Sequence, residues 1–327
     1  RCPMSALRQA LDSYLELRRA LGFKLERYAT RLLRFISFLA GKSARRITTA
    51  LALEFACQQA QRAPGTKKGY LCAVRGFARY LSGTDPAVEV PPPGLLGPCL
   101  SRLLPYIYSE EELRRLLAAA LTIPSAKRFA GRYDLKPWTL HGMLGLLAVT
   151  GMRLGEVVRL RSEDIDWAEG ILTIGKTKFL KSRLIPLHPS TLAQLRTYAR
   201  RRDRFFASRA QGALPRFFVT CAGNPVGGGQ VGHDFRKLSR QVGLRAPGQS
   251  HGPRIHDLRH RFAVTTLLRW YRSGKQVDRL LPVLSTYLGH SHVSGTYWYL
   301  SCTPELMAAA GARLEARWKG ARHADQR

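Results

Sequence analysis

Four short clusters bring together side chains able to act on a phosphate ester. They are Thr150-Gly-Met-Arg153-Leu-Gly-Glu156, the lysines Lys176, Lys178 and Lys181, His256-Asp-Leu-Arg259-His260, and Leu288-Gly289-His290 followed nine residues later by Tyr299. Breaking a phosphodiester without metal or ATP takes a nucleophile, cations on the non-bridging oxygens and a proton for the leaving oxygen. A tyrosine phenol suits the first task, because its phosphoryl ester is reversible and keeps the bond energy for rejoining. Arginine pairs offer planar forks that lysine cannot match, and a lysine surrounded by cations gives up its proton readily. Each cluster alone has a simpler reading. Arg153 and Glu156 could be an i,i+3 surface pair of little worth. The aromatics at 297, 298 and 299 suit a helix packed in a core. His256 with His260, and His290 with His292, lack the carboxylate or cysteine spacing of a metal site.

The elements that must position these residues follow from periodicity. Residues 1–83 read as four amphipathic helices: a stripe through Leu11, Tyr14 and Leu15 ending near Gly22, a second over Tyr28–Leu39, a third capped at Thr48 or Thr49, and a fourth capped at Thr66. Residues 84–104, rich in proline and glycine, read as a stiff linker. Ser109-Glu-Glu-Glu112 then reads as an N-cap with an acidic first turn, opening a domain over 105–327. There Leu140–Thr150 is an apolar helix stopped at Gly151, and 170–174 and 183–187 are two strands flanking the lysine-rich turn. Helices are expected again at 190–206, 233–242, 255–271, 276–288 and 304–318, while Gly227-Gly-Gly229 reads as a turn.

Composition narrows the partner. The 327 residues hold 53 Lys+Arg against 22 Asp+Glu, a formal charge of +31, and 45% are hydrophobic, so the chain is a folded protein expected to bind a polyanion. The charge is not confined to a tail: residues 1–83 hold 16 basic and 4 acidic side chains. Arginines outnumber lysines 41 to 12, which favours two-pronged phosphate contacts. The longest apolar run, Leu140–Met152, is 13 residues and contains His141, short of a membrane span. Six scattered cysteines without a CxxC pair argue for reduced thiols in a cytosolic setting, and the N-terminus shows no signal-peptide pattern.

In this order and spacing the four clusters resemble the tyrosine recombinase, or phage integrase, family over about residues 105–303. The phrase Thr296-Tyr-Trp-Tyr-Leu-Ser-Cys-Thr-Pro-Glu-Leu-Met307 looks most like recombinases carried by transposons and integrative elements. The resemblance implies a mainly α protein with a small β-sheet: an N-terminal helical core-binding (SAM-like) bundle and an α+β catalytic domain with a C-terminal tail helix. Arg153 and Arg259 would hold the phosphate, with Glu156 supporting Arg153. His256 would donate a hydrogen bond or accept the phenol proton, His290 would contact the phosphate region, and Tyr299 would be the nucleophile, ahead of Tyr297 and Tyr287. The general acid would be a hairpin lysine: counting back from the strand points to Lys178, counting forward from Arg153 to Lys176. No cofactor or metal is implied. The expected partners are double-stranded DNA at specific sites, further copies of the chain from dimer to tetramer, and other recombinases of the same element. The expected location is the bacterial cytoplasm, at the nucleoid. Two other readings share these residues: a non-cleaving architectural DNA-binding subunit, and a type IB topoisomerase. The tail helix 304–318, with Leu306, Met307, Ala310 and Leu314 on one face, suits docking on a neighbouring subunit and intramolecular packing equally.

Overall fold

The computed structural model describes residues 3–23, 25–58, 64–97, 104–124, 134–175, 182–207, 214, 216–249 and 251–324. They fall into two compact units dividing between Leu103 and Leu104. In the first, α1 (Pro3–Ala20), α2 (Glu26–Gly41), α3 (Thr49–Gln58) and α4 (Pro64–Leu81) form the expected bundle, α4 starting two residues before Thr66. Its core comes from the predicted stripes: Leu11 and Tyr14 of α1, Leu32, Phe35 and Leu39 of α2, Phe55 of α3, and Val74 and Phe77 of α4 are buried together.

The proline-rich stretch, over its described part, lies on this bundle rather than extending away from it. Val88 is buried in the core, Glu89 N–H donates to the Ile47 carbonyl at 3.0 Å, and Thr49 N–H donates to the Glu89 carboxylate at 2.8 Å. Arg75 donates to the carbonyls of Pro91 (2.6 Å) and Pro92 (2.7 Å), and Lys68 to that of Gly97 (2.9 Å). Proline cannot donate from its backbone but keeps its acceptor, which the basic side chains of α4 take up.

The second unit opens with α5 (Glu110–Ala120), closed by a reciprocal cap: Glu112 N–H donates to Ser109 Oγ (3.1 Å), and Ser109 N–H to the Glu112 carboxylate (2.8 Å). Ser109→Ala should lower stability by about 1 kcal/mol in urea unfolding, the usual worth of an N-cap; an unchanged midpoint would show that the cap contributes nothing. α6 (Lys136–Thr150) is apolar on every side and accordingly packs against α5, α8 (Pro189–Ala207) and α10 (Ile255–Arg272). It stops at Gly151, whose φ of 61° and a would-be Cβ 2.6 Å from a Phe262 ring carbon exclude any side chain. The short α7 (Leu154–Val157) follows at once.

The sheet has three antiparallel strands rather than two: β1 (Ile165–Asp166), β2 (Ile171–Ile174) and β3 (Arg183–Pro186), in register at Ile165–Leu172, Leu172–Ile185 and Ile174–Arg183. β1 is too short to show alternation, and only pairing with β2 defines it. α9 (Gly228–Gln241) also departs from expectation, because Gly228 and Gly229 form its first turn instead of a loop. Burial of Val231, Phe235 and Leu238 outweighs the poor helix propensity of glycine there. α11 (Val277–Leu288), α12 (Ser294–Tyr297), a 3₁₀ turn over Trp298–Ser301 and α13 (Pro304–Ala324) complete the unit. α13 packs on α10 of its own chain through the buried Leu306, whereas Met307 and Leu314 face solvent, so the anticipated single apolar face is split. Among the described residues no helix is long and apolar enough to cross a membrane.

Candidate active site

Three helix ends meet within the second unit. α6 ends at Gly151, α11 ends at Gly289 in the left-handed conformation (φ 69°), and α10 begins at Ile255. Arginines tie the ends together. Arg259, 2% exposed, donates from Nη1 to the Gly151 carbonyl and from Nη2 to the Leu288 carbonyl, both at 2.8 Å. Arg153 donates from Nη2 to the Gly289 carbonyl at 2.6 Å and from Nη1 to Glu156 Oε1 at 3.0 Å. The expected i,i+3 pair thus exists, but its carboxylate is buried and shared. Arg183, the first residue of β3, grips the same Glu156 with Nη1–Oε1 at 3.1 Å and Nη2–Oε2 at 2.6 Å. The sequence reading assigned Arg183 no role. A signal was present: on a strand it shares a face with Ile185, which is buried.

Three guanidiniums around one carboxylate leave a surplus of positive charge. Burial first, then the Arg153 cation, pushes Arg259 down to about 10, so it remains charged at neutral pH. Burial would raise the Glu156 carboxyl, but the hydrogen bonds from Arg183 and from the Arg153 backbone prevail and hold it below its ordinary value. A depressed carboxyl contributes stability that is present above the unfolded value of about 4.3 and is lost as pH falls through the folded value. Glu156→Gln should therefore be less stable than wild type at pH 7, with the gap closing below about pH 4.3. Urea midpoints across that range test this, and a gap that does not vary with pH would refute the assignment.

The histidines and the tyrosine line the same place. His256 lies at the surface near Arg153 and Arg259; partial desolvation first, then the Arg259 cation, lowers its pKa, so it is neutral at pH 7. His260 is buried among the rings of His256 (4.7 Å between centroids), Trp298 (5.3 Å) and Tyr299 (5.5 Å). His290 shares a proton with Thr296 Oγ1 across 2.7 Å, and its ring lies near-parallel to that of Tyr299 at 6.1 Å. Tyr299 is 2% exposed and close enough to Arg259 to interact with its charge, whereas Tyr297 is 53% exposed and Tyr287 stacks on Phe262. Of the three tyrosines, Tyr299 is the one beside Arg259, whereas Tyr287 lies within reach of the Arg183 charge. Lys178, Lys176 and Lys181 lie outside the described residues. Among those described, no group of three His, Cys, Asp or Glu side chains is placed to hold a metal.

Comparison with known proteins gives the family and the fold. The phage integrase family model matches residues 108–305. The chain is 48% identical to y4rB of Sinorhizobium fredii (strain NBRC 101917 / NGR234), which bears an integrase/recombinase name, over 97% of this chain and 99% of that one. It is 27% identical to the tyrosine recombinase XerC of Chlamydia caviae, over 76% and 71% of the two chains. Among solved structures, the Tn1549 transposon integrase in complex with transposon right-end DNA shares the fold with a TM-score of 0.65 at 14% identity, covering 95% of this chain and 98% of that one. The chain belongs to the phage integrase family. It is a tyrosine recombinase, an enzyme that breaks and rejoins DNA strands.

Gly289 is a second residue whose importance only the structure shows. A Cβ there would stand 2.8 Å from Arg183 Nη1 and 3.3 Å from Arg153 Nη1, in a backbone conformation that L-residues avoid. Gly289→Ala should cost about 1–2 kcal/mol of stability from the backbone alone. It should also slow DNA cleavage at temperatures where the variant is fully folded, because both guanidiniums must shift. Cleavage at the wild-type rate would show that the arginines tolerate displacement.

Proposed function

We propose that the chain is a site-specific recombinase of a mobile element, cutting and rejoining DNA through a 3′-phosphotyrosyl intermediate at Tyr299 and a Holliday junction. The observation that carries this reading is the convergence of Tyr299, His290, His256, Arg153 and Arg259 on helix ends holding surplus positive charge. In this reading the forks of Arg153 and Arg259 take the non-bridging oxygens of the scissile phosphate. Tyr299 Oη attacks phosphorus as the P–O5′ bond breaks. The phenol proton passes to His256, neutral at pH 7, and the 5′ oxygen takes a proton from the general acid, Lys178 or, failing that, Lys176. His290, oriented by Thr296, donates to a phosphate oxygen. The buried Tyr299 must be uncovered for attack, so DNA binding has to rearrange the 294–301 segment. No cofactor takes part.

Residues 1–83, with their basic excess, serve in this reading as the core-binding domain, and 105–327 as the catalytic domain. The partners are duplex DNA at specific sites and further copies of the chain on it, and the place of action is the cytoplasm at the nucleoid. The mobile-element setting is supported by the likeness to the Tn1549 transposon integrase, solved in complex with transposon right-end DNA, and by the integrase/recombinase name of y4rB. The deciding experiment incubates the protein with element-end DNA nicked just 3′ of the cleavage position, so that the released fragment diffuses away, and maps the covalent peptide. A DNA-linked peptide containing Tyr299 is the expected result. Tight binding with no adduct would favour a non-cleaving architectural subunit.

A further inference from the structure

The mechanism above gives Arg183 no task, yet its side chain is only 8% exposed and forked onto Glu156. Its Nε has no hydrogen-bond partner among the described residues, so the bonding of this head goes to one carboxylate. That carboxylate in turn fixes Arg153 twice, accepting from its Nη1 at 3.0 Å and from its backbone N–H at 2.9 Å. Gly289 closes the other side, its carbonyl accepting from Arg153 Nη2 and its lack of a Cβ leaving room for both guanidiniums.

Charge explains why this position needs an arginine. A buried Glu156 paired with Arg153 alone would cancel the positive charge that a phosphate needs, and would draw the guanidinium inward. With Arg183 supplying the neutralising cation, Glu156 still orients Arg153 through its hydrogen bonds while the Arg153 charge remains available to an anion.

We propose that Arg183 is a positioning residue for DNA cleavage, neutralising and holding Glu156 so that Arg153 presents both its angle and its charge to the scissile phosphate. The proposal rests on the phosphate-clamp reading above.

The test compares wild type, Arg183→Lys, Arg183→Met and the double variant Arg183→Met/Glu156→Gln, in single-turnover cleavage of the nicked duplex at saturating protein. A matched duplex carries a methylphosphonate at the scissile position, removing the charge that Arg153 would neutralise. Arg183→Met should bind the duplex as wild type does but cleave on the order of 100-fold more slowly, the effect of a clamp displaced by about an ångström. Arg183→Lys should recover part of the rate. The double variant should cleave faster than Arg183→Met, because no unpaired carboxylate then competes for Arg153, and it should fold even where the single variant fails to. On the methylphosphonate duplex the deficit of Arg183→Met should largely vanish. A wild-type rate in Arg183→Met, additive losses in the double variant, or a deficit of equal size on the neutral duplex would each overturn the proposal alone. A wild type that forms no Tyr299 adduct would overturn it together with the reading it rests on.

Discussion

Tyr299→Phe should bind DNA as the wild type does and form no covalent adduct with it, even at long incubation. The substitution deletes one oxygen and leaves the ring where it packs, beside His260, His290 and Trp298, in a cluster containing Val264, Leu267, Leu284 and Leu306. Stability should move by only about 1 kcal/mol, the net worth of a hydroxyl's bonding. The chemical effect is of another order, because without the phenol oxygen no bond to phosphorus can form at this position. Gel-shift affinity, thermal midpoint and adduct yield on the nicked duplex separate these consequences. A full-yield adduct in Tyr299→Phe would move the nucleophile elsewhere, and Tyr297→Phe, altering an exposed ring, is the matched control.

The second large effect is expected at Arg259. Arg259→Ala should slow adduct formation by on the order of 100-fold or more, since it removes a preorganised cation from the site of developing charge. It should also destabilise the protein, because the carbonyls of Gly151 and Leu288, at the ends of α6 and α11, lose their donor in a buried setting. Each such loss costs about 1–3 kcal/mol. The rate must therefore be read at a temperature where circular dichroism shows the variant folded. Arg259→Lys sharpens the comparison, since one ammonium retains the charge but cannot serve two carbonyls and a phosphate with a planar fork. A variant that stays folded and cleaves as fast as wild type would remove Arg259 from the phosphate clamp. Arg153→Ala, at a half-exposed side chain that holds the single carbonyl of Gly289 where Arg259 holds two, should lose rate with a smaller loss of stability.

Much of this was legible in the sequence. The stripes of residues 1–83 gave four helices because burial in a small bundle follows the 3.6-residue period. Gly151 marked the end of α6 because only glycine enters the left-handed region without strain, and Ser109 marked the start of α5 because its hydroxyl matches an orphaned N–H. What local patterns missed was settled by contacts distant in the chain. β1 exists through pairing with β2, the first turn of α9 through the burial that follows it, and the lie of residues 84–97 through hydrogen bonds from Lys68 and Arg75.

The site divides in the same way. Residue types and spacing brought forward Arg153, Glu156, His256, Arg259, His290 and Tyr299 as candidates, because the chemistry of a phosphate ester restricts which side chains can act on it, and their order carried the resemblance to the phage integrase family. They also determined that the partner is a polyanion, since a charge of +31 belongs to composition and not to folding. Tertiary structure decided which tyrosine stands beside Arg259, and that Glu156 is shared by Arg153 and Arg183. It also decided that Gly289 must stay bare and that Arg183 belongs with the site at all. Those facts rest on distances between α6, β3, α10 and α11, segments more than 100 residues apart at the extremes, and side-chain spacing along one chain carries no record of such distances until the helices pack.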